Sequence, residues 1–229
     1  MSYNERKVVY FTHCGEANTD RVLMVARTRC EELGIKSIVI ASETGRSALK
    51  ALDVFRGCKT HLIVVTHYPA ATWGPKGKIP IGLGRSEYRQ AYERLVEAGV
   101  VIVQGTRPLA PPTRSLDWKS PTPEAILDRT LEVFGAGTKI AIEAAIMATD
   151  AGHIDEGEEV VSCAGTFKGL DTALLVRTAY SMNFFKSFVV KEVIAKPSAR
   201  VVGLPEYEDG QWKGSLEDYP SEKGPPADT

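Results

Sequence analysis

The sequence predicts an α/β fold: a three-layer sandwich with a mostly parallel sheet. Three observations carry this. Four short apolar runs of strand length recur, at Val8–Phe11, Ile38–Ala41, Leu62–Val65 and Val100–Val103. Stretches with apolar residues three and four apart separate these runs, as amphipathic helices require. Each run also ends in small polar residues. Strands alternating with helices imply a parallel sheet covered on both faces. With 229 residues, 43% of them hydrophobic, the chain can bury one sizeable core. The expected division is an α/β domain over 1–197 and a polar Gly/Pro-rich tail over 198–229.

Val8–Phe11 reads as the first strand, followed by Thr12-His13-Cys14-Gly15. Asn18 or Thr19 caps a helix whose apolar face is Val22, Val25, Ala26, Cys30 and Leu33. Gly34 ends that helix. Ile38–Ala41 is the second strand, Ser42–Ser47 a tight turn, and Ala48, Leu52 and Phe55 mark the next helix. Leu62–Val65 is the third strand, ending in Thr66-His67. Tyr68–Gly84, with Trp73 and Lys78, is a Gly/Pro-rich loop long enough to be a lid. Glu87–Ala98 is a helix with Tyr88, Ala91, Tyr92 and Leu95 inward, stopped by Gly99. Val100–Val103 is the fourth strand, ending in Gln104-Gly105-Thr106.

Arg107–Pro121, which contains Trp118, reads as an irregular loop. Thr122-Pro123 starts a helix carrying Ile126, Leu127, Thr130, Leu131 and Phe134. Thr138–Ala151 is a nearly apolar helix with Ile140, Ala141, Ala144, Ala145 and Ala148 in the core. Glu159–Ala164 and Thr172–Val176 are strands joined by Gly165-Thr-Phe-Lys-Gly169. No helix lies between them, so this pair can run antiparallel. Tyr180–Phe185 is an aromatic loop, able to cover a flat ring or to plug the core, with Phe184 and Phe185 assigned to the core. Phe188–Ile194 is the last strand. The tail beyond Pro197, with Trp212 and Tyr219 isolated, is expected to be partly disordered or packed on a neighbour. That keeps a homo-oligomer open.

The Ser42–Ser47 turn suits an anion. The first amides of a helix lack an internal acceptor, and the dipole makes that end positive. Gly45 permits close backbone approach. Ser42, Thr44 and Ser47 offer hydroxyls, and Arg46 offers a planar fork that matches phosphate oxygens. The same residues would also serve an ordinary capped strand-to-helix turn. In an open parallel sheet, ligands bind outside the carboxyl ends of the strands. Thr12–Gly15, Ser42–Ser47, Thr66-His67 and Gln104–Thr106 would therefore gather at one end.

Thr44-Gly45-Arg46-Ser47-Ala48, then Arg56, then Leu62-Ile-Val-Val-Thr66, resembles the C-terminal α/β domain of pyruvate kinases. In many of these the region holds a phosphorylated effector. Further stretches resemble a narrower family, the stand-alone pyruvate kinase C-terminal (alpha/beta) domain-like proteins. They are Val8-Val-Tyr-Phe11, Asn18-Thr19, Glu143 with Ile146-Met-Ala-Thr-Asp150, and Asp171-Thr-Ala-Leu-Leu-Val-Arg177 with Met182-Asn-Phe-Phe185. The resemblance covers most of Lys7 to Pro197. It implies a phosphorylated, flavin-sized ligand, flavin mononucleotide (FMN). The candidate binding residues are Cys14, Asn18, Ser42, Thr44, Gly45, Arg46, Ser47, Thr66, His67, Glu143, Met147, Gly165, Thr166, Asp171 and Thr172. Glu143 and Met147 share a helix stripe with Asp150, and the apolar surroundings of Glu143 favour a site over a solvated face. Gly165–Gly169 is either a second anion or ring contact, or a plain connection.

A formal net charge of −1 gives no electrostatic reason to expect nucleic acid or a membrane surface. Cys14, Cys30, Cys58 and Cys163 form no CxxC pair and no His/Cys cluster, so no metal site is expected and reduced cytoplasmic thiols are the plain reading. Met1–Lys7 does not read as a signal peptide. Three functions remain open: a binding protein for a phosphorylated flavin-sized ligand, a flavin-dependent oxidoreductase using the same pocket, and a regulatory domain for sugar phosphates. His67, Glu143, Cys14 and His13 are the candidate chemical groups. Each has an ordinary structural role as its alternative. Pyruvate kinase chemistry needs a separate barrel, for which this chain has no room. No G-x-G-x-x-G follows the first strand.

Overall fold

A computed structural model describes residues 3, 5–74, 77–110, 112, 121–199, 207–208 and 211–212, with side chains over 3, 5–71, 79–110, 112 and 121–199. The first strands and helices are β1 (Val9–Phe11), α1 (Thr19–Leu33), β2 (Ser37–Ala41), α2 (Arg46–Val54) and β3 (His61–His67). Next come β4 (Ala70–Gly74), β5 (Gly77–Ile81), α3 (Arg89–Glu97), β6 (Val101–Gly105), α4 (Pro123–Glu132) and α5 (Ala136–Asp150). The chain continues through β7 (Glu159–Ala164), β8 (Thr172–Arg177), α6 (Phe184–Ser187) and β9 (Val189–Pro197), then β10 (Tyr207–Glu208) and β11 (Gln211–Trp212).

Seven strands form one sheet in the order β1-β9-β8-β7-β2-β3-β6. β2 pairs parallel with β3 and β7, and β3 pairs parallel with β6. β8 runs antiparallel between β7 and β9, and β9 pairs parallel with β1. The expected α/β sandwich with an added antiparallel element is therefore present.

Strand alternation fills two layers. Ile38, Ile40, Val161, Cys163, Ala173 and Leu175 pack on Val22, Leu23, Ala26 and Cys30 of α1 and on Ala51 of α2. Val39, Ile63, Val65, Val103, Val160, Leu174 and Val176 face α5 instead, through Ala141, Ala144, Ala145 and Ala148. α5 is apolar almost all round because it lies under both the sheet and α4. Leu95 of α3 closes a smaller cluster with Ala48, Val64 and Leu83.

Several expectations change. Tyr68–Gly84 is not one loop: it contains an antiparallel ribbon in which Ala70 faces Ile81 and Thr72 faces Ile79. Pro80 sits on this two-stranded ribbon, where a missing N–H costs no sheet bond. The Trp73 and Lys78 side chains, on which a lid would depend, lie outside the described side chains. Helix α2 starts at Arg46, not Ala48, because Gly45 takes φ +83° at its N-cap. α5 starts at Ala136, two residues early. Ile126, Phe134 and Phe185 are exposed, at 54%, 58% and 86%, and Tyr92 lies at the surface. Spacing marks an apolar stripe but not whether a neighbouring layer exists to cover it. α4 buries Asp128 instead, against Lys139 of α5. Only 107–110 and 112 of the Arg107–Pro121 segment are described up to residue 120, and Trp118 lies outside. Of the tail, Ser198, Ala199 and the antiparallel pair β10–β11 are described; Tyr219 and the rest lie outside.

Gly169 shows how tightly the β7–β8 turn is seated. It takes φ +68°, and a Cβ there would lie 2.4 Å from Glu16 Cα and 2.5 Å from Thr19 Oγ1. Thr19 Oγ1 already accepts from the Leu170 amide at 2.9 Å. Gly169→Ala should cost about 2–4 kcal/mol through a left-handed backbone and a backbone clash. A calorimetric melt measures it, and an unshifted Tm would show that the turn can move away from Glu16.

Candidate functional site

The strand order puts a crevice where the connections diverge. From β2 the chain proceeds through α2 to β3 and then β6, whereas β7, on the other side of β2, is reached through α5 on the opposite face. Such a switch point, at the carboxyl ends of the strands, is where open α/β sheets leave room for a ligand. The turn after β2 and the turn after β7 flank it.

The β2–α2 turn is held from below. Buried Ser42 accepts from the Ala48 amide at 3.4 Å, and its own amide donates to Val65 O at 2.9 Å. Gly45 fits against α3 only without a side chain: a Cβ would lie 2.6 Å from Ala91 Cβ. Ser47 is buried and Thr44 half-buried. Arg46 points outward, 57% exposed, with Glu16 Oε1 3.3 Å from its Nη1.

The turn after β7 supplies a second cation. Burial lowers the pKa of Lys168, and the nearby Arg46 charge lowers it further, while Glu16 opposes both. Glu16 thus lies within electrostatic reach of two cations from two turns. Phe167, between Thr166 and Lys168, takes φ +59°, rare for an aromatic residue. The Lys168 amide donates back to Thr166 O at 2.8 Å.

Asp171 joins these loops. It is fully buried, and its Oδ2 accepts from the Gly15 amide at 2.9 Å and the Thr166 amide at 3.0 Å. Its Oδ1 accepts from Thr172 Oγ1 at 2.8 Å. The first turn of α5 stands over the same group: a Cβ on Gly137 would meet Asp171 Oδ1 at 2.6 Å. That places a carboxylate at the positive end of a helix. Burial pushes the Asp171 carboxyl above the usual range, against the pull of its hydrogen bonds. Gly15, Thr166 and Thr172 are therefore brought together by Asp171, whose oxygens are engaged within the protein, while Gly165 packs against Gly169, where a Cβ would lie 2.3 Å from Gly169 O.

On the far flank, Glu43 reaches over β3. Its Oε2 accepts from Thr66 Oγ1 at 3.0 Å and the His67 amide at 3.2 Å, and its Oε1 lies 2.5 Å from His67 Nδ1. Burial alone would raise its pKa, but the His67 and Thr66 donors outweigh burial and hold it below the usual carboxylate range. Sequence reasoning missed Glu43. The signal was its place inside the turn, two residues past a strand, where a side chain can fold back across the neighbouring strand end.

The other candidates lie elsewhere or are already engaged. Glu143 is fully buried, pairs with Arg107 Nη1 at 3.1 Å and accepts from the Leu109 amide at 3.1 Å. Burial pushes it above the usual range, while Arg107 pulls it down. It fastens the segment after β6 to α5. Met147 packs in the α5 core layer, and Asp150 accepts from the Ser181 amide at the surface. Asn18 donates to His13 O at 2.8 Å but makes no side-chain cap of α1. Cys14 Sγ donates to Ala199 O at 3.5 Å. Among the described residues no cluster of three metal-ligating side chains occurs, and no helix is long and apolar enough to cross a membrane.

Two tests follow from these contacts. Asp171→Ala leaves two buried amides unpaired and should cost about 2–4 kcal/mol, whereas Asp171→Asn can keep every bond by donating to Thr172. A raised folded-state pKa adds stability below the unfolded pKa of about 4 that is lost as pH rises through the folded value. Wild type should therefore gain stability relative to Asp171→Asn on acidification, read from urea midpoints at several pH values; parallel curves would contradict it. Glu143→Ala, which strands Arg107, should cost about 3–5 kcal/mol, and a milder loss in the same unfolding experiment would show that Arg107 finds another partner.

Comparison with known families agrees with this architecture. Residues 20–176 match the family model "Pyruvate kinase, alpha/beta domain". The matched span runs from α1 through β8 and takes in both turns that flank the crevice. The chain belongs to the pyruvate kinase alpha/beta domain family.

Proposed function

We propose that the protein binds a phosphorylated, flavin-sized ligand, FMN, at the carboxyl ends of β2 and β7. The observation that carries this reading is the convergence of Arg46 and Lys168 from separate turns, with Glu16 the carboxylate near both. Two cations held near one another repel, and a phosphate dianion between them relieves the repulsion. The donor set fits such a group: a guanidinium fork, an ammonium and the first amides of α2, the last favoured by the helix dipole. Arg46, Lys168 and the α2 amides would hold the phosphate, with Ser47 and Thr44 beside it. Bound flavin would supply hydride and electron transfer. The chain's own residues would bind the phosphate and orient the remainder. Free thiols at Cys30, Cys58 and Cys163 suit a reducing cytoplasm.

Arg46→Ala and Lys168→Ala should each weaken FMN binding by about 1.5–3 kcal/mol, since each removes a charged donor. Quenching of flavin fluorescence measures this. Riboflavin, lacking the phosphate, should bind wild type more weakly and be insensitive to both substitutions. Equal affinity for FMN in wild type and both variants would remove the phosphate from this crevice.

A further inference from the structure

We infer that the site is a two-point site and that His67, held by Glu43, contacts the end of the ligand remote from the phosphate. The inference rests on the phosphate reading above. Three observations carry it. First, the His67 ring is already oriented: Nδ1 meets Glu43 Oε1, and Glu43 is itself fixed by the Thr66 hydroxyl and the His67 amide. Thr66 Oγ1 in turn accepts from the Leu83 amide at 3.0 Å, so the chain of bonds is anchored in the core. No described residue bonds His67 Nε2, and the side chain is 23% exposed, half-buried beside Tyr68. An imidazole fixed through one nitrogen presents the other to a ligand.

Second, this imidazole and the phosphate contacts sit on opposite sides of one turn. Lys168 follows β7, Arg46 follows β2 and His67 ends β3, and these three strands are neighbours. Strands lie about 4.8 Å apart, so the outer two ends are separated by about 10 Å. A ligand whose phosphate rests toward Lys168 must extend across the β2 end to reach His67, a length that a mononucleotide-sized ester has. Third, Tyr88 lies within electrostatic reach of both flanks. Burial chiefly raises the pKa of Tyr88, and both Arg46 and Glu43 are among the charges that reach its hydroxyl. Glu43 is a positioning residue here, and His67 Nε2 is the group that meets the ligand.

The test compares two probes, FMN and inorganic phosphate, by titration calorimetry. His67→Asn is the informative variant, because its amide nitrogen takes the place of Nδ1 and keeps the Glu43 bond while Nε2 is lost. FMN affinity should fall about tenfold or more, the loss of one hydrogen bond to a charged or polar partner, while phosphate affinity stays unchanged. Glu43→Gln should lower FMN affinity by a smaller factor and leave phosphate unchanged. Arg46→Ala should weaken both probes. If wild type binds FMN but His67→Asn binds both probes as wild type does, or loses both equally, the two-point site is overturned while the phosphate reading stands. If wild type binds phosphate but not FMN, the flavin reading and the two-point site fall together. If wild type binds neither, the phosphate site falls as well.

Discussion

The crevice depends on one buried carboxylate. Asp171 sits at the foot of the antiparallel strand β8 and gathers three segments far apart in sequence: the loop after β1, the turn after β7 and the start of α5. Each contributes something that would otherwise be a liability. Gly15 and Thr166 bring backbone amides with no strand to pair with, and α5 brings the positive end of its dipole. Desolvating an acid is costly, and its upward-pushed pKa records that cost. The hydrogen bonds offset enough of it to keep the loops where they are, with Lys168 in the same turn within electrostatic reach of Arg46 and Glu16.

Charge is distributed unevenly around that anchor. Of the described acids away from the surface, Glu143 pairs with Arg107, Asp128 with Lys139 and Glu43 with the Thr66–His67 strand end, whereas Asp171 is held by two amides and a hydroxyl. The two cations of the crevice are matched by the partly exposed Glu16. A buried acid thus needs a cation or several hydrogen-bond donors, while at the rim water screens the charges. On the other flank, the bonds through Thr66, Glu43 and His67 are short-range and rigid, so the two sides differ in kind: one electrostatic and adaptable, the other oriented.

Local pattern carried a good deal of this. The strand runs at Ile38–Ala41 and Leu62–Val65, the helical spacing after Ala48 and the Thr122-Pro123 start all reflect which side of an element meets apolar neighbours, and the sequence writes that directly. The helixless link between Glu159–Ala164 and Thr172–Val176 signalled an antiparallel pair, which is how those strands lie. Phe185 and Ile126 misled, because an apolar residue at the right spacing still needs a layer above it, and none of the described elements covers them. The ribbon β4–β5 was hidden by its glycines and prolines, which also punctuate loops.

The sequence by itself determined most of the element types, though not the β4–β5 ribbon or α6, the parallel character of the β2–β3–β6 half and the turn of small polar residues at Ser42–Ser47. Only the tertiary structure decided which residues meet there. Lys168 approaches Arg46 because β7 inserts beside β2, more than a hundred residues later in the chain. Glu143 is consumed by Arg107 because α5 packs beside the end of β6, and Glu43 closes on His67 because β2 and β3 are neighbours in the sheet. Periodicity records burial within a dozen residues, whereas partners across strand ends follow from the order in which strands enter the sheet, and no local window contains that order.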